Sequence, residues 1–159
     1  MNANLDAIQK QDRKVVLSTL WIFVLFNYVY ADVYTLTFNP VLQPESWKQF
    51  LSGNAGGVQL TAGFVLITAV LMETAIAMAL LSRILNYNAN RWANVSLGAF
   101  HTLFVAWSLL GQTPPIYYLF FAAVEIACTL FIAWYAWQWR IPRTRPIVAA
   151  PASRAPTSI

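Results

Sequence analysis

The sequence predicts an all-α fold: an integral membrane four-helix bundle, up-down-up-down, with both termini on the cytoplasmic side. Three observations lead there. Hydrophobic residues make up 58% of the 159-residue chain and charged residues only 10%, against roughly half and a quarter in soluble domains, so much of the surface is not built to face water. Four apolar runs are each about as long as the roughly 20 residues of helix that cross a hydrocarbon core. Nine of the ten Lys and Arg residues fall on one side of those runs, the asymmetry that marks a cytoplasmic face.

Taken in order, residues 1–14 form a cytoplasmic segment carrying Lys10, Arg13 and Lys14. The first span covers 15–38. Its apolar stretch is too long for a signal peptide and no small-x-small cleavage site follows, so it reads as a retained helix. The outer connection 39–57 contains "PESWKQFLSG", which places Trp47, Phe50 and Leu51 on one side of a short helix that Gly53 would end. Such a helix suits the outer headgroup layer; the alternative is a lid over a cavity between the spans. The second span covers 58–81, and Arg83 and Arg91 flank the inner connection. The third covers 92–110. "GQTPP" is a tight outer turn that makes it the antiparallel neighbour of the fourth, at 116–139. The 15–139 region is thus one four-helix membrane domain. No span contains proline; Pro40, Pro44, Pro114 and Pro115 stand in the connections. The tail 140–159, with Arg140, Arg143, Arg145 and Arg154 among Pro and Ala, lacks an apolar period and is expected to be disordered, its basic start lying on anionic lipid at about 1 kcal/mol per cation.

Several function classes fall away. The net charge of +4 does not mark a nucleic-acid binder, because the basic residues flank apolar runs rather than forming a patch on a soluble surface. A single cysteine, Cys128, excludes an intrachain disulfide, a CxxC redox pair and a cysteine-based zinc site. The chain has no Glu-x-x-His pair of the di-metal kind, no Ser-His-Asp order, no phosphate loop and no dinucleotide fingerprint. No metal, cofactor or catalytic residue is assigned, and nothing calls for enzymatic turnover.

What remains is polarity at depth. Each span carries one ionisable group: Asp32, Glu73, His101 and Glu125. At about 1.5 Å per residue, Glu73, His101 and Glu125 fall near the bilayer midplane and Asp32 nearer the outer surface. A charge at the centre costs roughly 2.5–3.5 kcal/mol on insertion scales, so these groups are expected to face inward and meet in one ligand- or proton-binding site, with Asp32 at its mouth. Their neighbours support this. Asn94, His101 and Ser108 recur every seven residues and line one face of the third helix. Tyr118, Ala122, Glu125 and Thr129 share a face of the fourth. Ala62, Ala69, Glu73 and Ala77 form a small-residue stripe on the second, and Tyr28, Asp32 and Thr35 cluster on the first. The same groups also suit a purely structural role, as hydrogen bonds that hold helix register.

Three stretches together carry a resemblance: "LWIFVLFNYVYADVYTL", "LMETAIAMALLSRILNYNANRWANVSLG" and "YYLFFAAVEIACTLFIAWYAWQW". They resemble a bacterial family of small four-helix membrane proteins of unknown function (the domain of unknown function 6326 type), which is similar to the DoxX-like and MauE-like membrane proteins. The resemblance runs from about Leu20 to Trp139. It implies a four-helix bundle in the bacterial inner membrane, and Glu73 followed by Arg83 matches an acidic residue on the second helix ahead of a basic turn in the DoxX-like proteins.

Three functions fit. The first is an accessory or ligand-binding bundle, its partners being the lipid bilayer, a lipophilic ligand or partner membrane subunit, and a second copy of the chain. The second is a proton-coupled small-molecule transporter working through Glu73 or Glu125, since a membrane carboxylate is what such coupling needs. The third is a quinone- or haem-linked redox protein, for which a lone His101 supplies at most one axial ligand.

Overall fold

A computed structural model describes residues 2–55, 57–110 and 113–139. The expected tail at 140–159, with its four arginines, lies outside the described residues. The chain is all-helical apart from one small hairpin: α1 (Asn2–Leu42), α2 (Pro44–Leu51), β1 (Asn54–Ala55), β2 (Val58–Gln59), α3 (Ala62–Ile84), α4 (Tyr87–Ser108) and α5 (Ile116–Trp137). α1 packs on α3 and α5, and α4 packs on α3 and α5, so the four long helices enclose one interior.

The helix ends follow local chemistry, and they shift the expected boundaries. α1 runs on past both ends of the 15–38 span; its 41 residues extend over about 60 Å. Pro40 stands inside it, two residues before its end, rather than after it. The second long helix starts at Ala62 and not at 58, because Val58 and Gln59 pair with Asn54 and Ala55 across an antiparallel turn. Gly57 supplies the left-handed backbone in that turn, at φ 83°, where a side chain would be strained. Thr61 then caps α3, its Oγ1 accepting from the Phe64 amide at 3.2 Å. Asn86 caps α4 in the same way, accepting from the Ala89 amide at 3.0 Å, so α4 begins at Tyr87 rather than at 92 and only Leu85 and Asn86 separate it from α3. α2 forms where expected and Gly53 follows it with φ 86°. It buries none of its residues and packs on α1 and the hairpin.

Among the described residues, three helical segments are long and apolar enough to cross a membrane: Gln11–Leu42, Ala62–Ile84 and Ile116–Trp137. Their outward faces are apolar, as at Phe26, Leu66, Leu80 and Phe120, each at least 60% exposed, which suits lipid and not water. The fourth expected span, now α4, is not among the three. The reason is composition: Asn90, Asn94 and His101 sit in it, and all three are fully buried between helices.

Contacts at the two ends bring matching parts of the chain together. Lys14 Nζ donates to the Leu85 carbonyl at 2.7 Å, the Arg13 guanidinium lies 4.9 Å from the Tyr135 ring centre, and Arg83 Nε donates to Ser18 Oγ at 3.1 Å. Arg91 sits between the Trp92 and Trp137 rings, at 5.8 and 5.3 Å. At the opposite end, Tyr117 bonds Asn39 and Gln43 Nε2 donates to the Thr113 carbonyl at 3.0 Å.

Candidate functional site

The interior has three polar layers, stacked from the basic end upward. The lowest is a closed network on α1, α3 and α4. Asn94 Oδ1 accepts from Trp21 Nε1 at 2.7 Å and from Ser82 Oγ at 3.3 Å, while its Nδ2 donates to Asn90 Oδ1 at 2.6 Å and to the Asn90 carbonyl at 2.8 Å. Asn90 Nδ2 in turn donates to the Ser82 carbonyl at 2.6 Å. Both donors and both acceptor positions of the Asn94 amide are used. The network is buried and satisfied, which makes it a register device rather than a reactive group.

His101 forms the middle layer and is fully buried. Its Nε2 lies 3.0 Å from Thr74 Oγ1 and its Nδ1 lies 3.0 Å from Tyr28 Oη. Thr74 gives its own hydrogen to the Leu71 carbonyl at 2.7 Å, so it accepts from His101. The imidazole therefore carries its hydrogen on Nε2, and Nδ1 accepts from the Tyr28 hydroxyl. Both ring nitrogens are committed, and the Trp21 ring closes one side at 5.3 Å in an edge contact.

Above His101, toward the hairpin end, all four long helices line a cavity of about 400 Å³. Tyr28 and Asp32 come from α1, Thr68 and Met72 from α3, Phe104 and Ser108 from α4, and Tyr118, Phe121 and Glu125 from α5. No described residue of 43–61 lines it, and α2, considered above as a lid, packs instead on α1 and the hairpin. Glu125 is only 5% exposed, and its Oε1 has no hydrogen-bond partner among the described residues. Asp32 is more exposed and stands at the rim. Tyr28 touches two layers at once: its ring lines the cavity and its hydroxyl ends on His101.

This geometry redraws the expected site. Asp32, Glu125, Tyr28, Ser108 and Tyr118 come together around the cavity. His101 lies behind Tyr28 and does not line it. Asn94 belongs to the lower network. Thr129 bonds the Glu125 carbonyl at 2.8 Å and Thr102 Oγ1 at 2.7 Å, tying α5 to α4. Glu73 does not join the others. Its side chain is exposed on the outer face of α3, and no hydrogen bond or ion pair connects it to another described residue. The physical reason is helical phase. α3 buries Leu71, Ala75, Met78 and Ser82, and Thr74 turns to His101. A step of one residue rotates a helix by about 100°, enough to carry Glu73 off that face. Trp21, Thr74, Ser82 and Asn90 were not among the expected site residues; for Asn90 the signal was present, since it extends the Asn94 and His101 spacing by one turn.

No curated protein and no solved structure shows a significant match to this chain. A family model does: the one described as a family of unknown function (DUF6326) matches residues 7–144. The match takes in α1 from its second turn onward and the whole of α2 to α5, and so every residue that lines the cavity. The chain therefore belongs to the DUF6326 family, whose function is unknown.

Proposed function

We propose that this protein is a small integral membrane protein that holds a lipophilic ligand between its four long helices and performs no chemistry on it. One observation carries the reading: a carboxyl group, Glu125, is buried in a cavity of about 400 Å³ with one oxygen unpartnered. Leaving such a group unpaired costs about 1–3 kcal/mol or more, a cost that a ligand offsets. The volume falls within the roughly 300–1,000 Å³ of small-molecule sites, and a mainly apolar lining with a few converging polar groups is their usual character. The bonds of His101 favour binding over the alternatives. The layer of Tyr28, His101 and Thr74 closes the cavity floor, which suits retention better than passage to the other side. With both nitrogens on hydroxyls, His101 has none free for haem.

The test uses a neutral lipophile. Phenylbutanol is expected to raise the melting temperature of the detergent-solubilised protein saturably. Ala122→Phe, which fills the cavity wall where Ala122 is 2% exposed, is expected to abolish that rise. Equal stabilisation of the filled variant would sink the reading.

The same proposal covers topology. Four spans run up-down-up-down within 15–139, α4 being the fourth, with both termini cytoplasmic in a bacterial inner membrane and kinship to the DoxX-like and MauE-like proteins. The gathering of Arg13, Lys14, Arg83 and Arg91 at one end supports the orientation. The apolar outer face of α4, with Phe100, Leu103 and Trp107 more than half exposed, supports its place in the membrane. Reporter fusions after residue 139 should read as cytoplasmic, and insertions near Gln49 as external; a periplasmic carboxyl-terminal reporter would refute it.

A further inference from the structure

We infer that the cavity takes a lipophilic organic cation, a protonated amine attached to an apolar body, with Glu125 as its counter-charge and Asp32 guiding it at the mouth. This rests on the ligand-binding reading above and narrows it to a chemical class.

The lining decides the sign. Two carboxyl groups, Glu125 and Asp32, border the cavity, and among the described residues no Lys, Arg or His does. The nearest base, His101, is screened by Tyr28 and has both nitrogens bonded. Arg13, Lys14, Arg83 and Arg91 are committed at the far end of the helices, and Lys48, in α2, pairs with Glu45 at 2.8 Å and does not line the cavity. An anionic head would meet two acids in a medium of low dielectric, where like charges repel strongly. A cation would meet the Glu125 carboxyl group, which lines the cavity and is only 5% exposed, and a charge-assisted hydrogen bond is about twice as strong as a neutral one.

The aromatic content points the same way. Tyr28, Phe104, Tyr118 and Phe121 all line the space, and the faces of such rings attract organic cations. The hydroxyls of Thr68 and Ser108 border it as well. Ser108 gives its hydrogen to the Val105 carbonyl at 2.8 Å, and Thr68 gives its own to the Val65 carbonyl at 2.9 Å, so both present lone pairs and not hydrogens to the cavity. An ammonium head, with up to three N–H groups and no acceptor, matches a site lined by two carboxyl groups, Glu125 and Asp32, and by the hydroxyl-bearing Thr68 and Ser108. Among the described lining side chains, a carboxylate or phosphate head, which needs donors, is offered the Tyr118 phenol and faces two carboxyl groups.

Three probes of similar size and different charge test this by calorimetry on the full-length protein in lipid nanodiscs: phenylbutylamine, phenylbutanol and phenylbutyrate. The amine is expected to bind on the order of tenfold more tightly than the alcohol, and the butyrate to show no saturable binding. Glu125→Gln keeps the size of the side chain and removes its charge. It is expected to bring the amine down to the level of the alcohol. Asp32→Asn, at the rim, is expected to weaken the amine less. Equal affinity for amine and alcohol, tighter binding of the butyrate, or an amine preference that survives Glu125→Gln would each overturn the inference. Alcohol binding without amine preference would leave the cavity reading standing, whereas no saturable binding of any probe would remove both. The comparison of probes on the unaltered protein needs no variant, so a folding defect in Glu125→Gln would not spare the inference from its test.

Discussion

Trp21→Ala is expected to destabilise the protein by about 3 kcal/mol. Trp21 is the largest fully buried side chain, and it joins two layers of the interior: Nε1 bonds Asn94 and the ring packs on the edge of His101. Removing a buried Trp from a soluble core costs about 3–5 kcal/mol, part of which is transfer out of water. In the bilayer setting proposed above, the unfolded reference is already in hydrocarbon, so the transfer part shrinks and the packing part stays; hence the lower end of the range. Trp21→Phe separates the two contributions. It keeps most of the ring and loses the hydrogen bond, which within membranes averages about 0.6 kcal/mol and reaches about 1.7. Unfolding of both variants in mixed micelles measures this. A Trp21→Phe loss as large as that of Trp21→Ala would mean that the Asn94 bond, and not packing, holds the interior together.

Gly98→Val is expected to cost about 2–3 kcal/mol or more by driving α4 and α5 apart. A side-chain carbon at Gly98 would stand 2.9 Å from the Thr129 carbonyl oxygen and 3.2 Å from both the nitrogen and Cβ of Ala133. Two of those three atoms are backbone of the facing helix, which no rotamer change can clear. Separation would also stretch the 2.7 Å bond between Thr102 and Thr129 one turn away. Gly98→Ala meets the same atoms with less volume and should cost less. Gly63→Ala is the matched control. The nearest atom to an added carbon there is Thr61 Oγ1 at 3.9 Å, so relief of backbone entropy should leave stability unchanged or raised by about 0.5–1 kcal/mol. Melting curves for the three variants decide; equal behaviour of Gly98→Ala and Gly63→Ala would show that the close approach is relaxed at little cost.

These two residues also mark where reading the sequence succeeds and where it stops. Spacing alone identified the inward faces of α4 and α5. Asn94 and His101 on one, and Ala122, Glu125 and Thr129 on the other, are all buried, because polar groups repeating at helical spacing within an apolar run have few stable places to go except inward. Gly98 lies on that same face of α4, yet its role depends on how near α5 comes, which no local pattern encodes. Nothing local marks Trp21 as interior; a partner 73 positions away in the chain, Asn94, makes it so.

The class of the molecule came from composition and patterning. Long apolar helices, capped at Thr61 and Asn86 and separated by Pro, Gly and polar connections, follow from hydropathy and local hydrogen bonding, which are properties of short stretches. The rotation of α3 did not. Its outward and inward faces are both largely apolar, so the helix has almost no amphipathic signal by which to choose a side, and Glu73 with the alanine stripe through Ala62, Ala69 and Ala77 suggested a choice. Tertiary structure chose Thr74 instead, because a hydroxyl that accepts from His101 Nε2 and donates to the Leu71 carbonyl completes the buried layer, and Glu73 was left on the outside. The unpaired oxygen of Glu125 was decided at the same level: a single carboxyl is visible in the sequence, but whether its oxygens find partners depends on what three other helices bring to it.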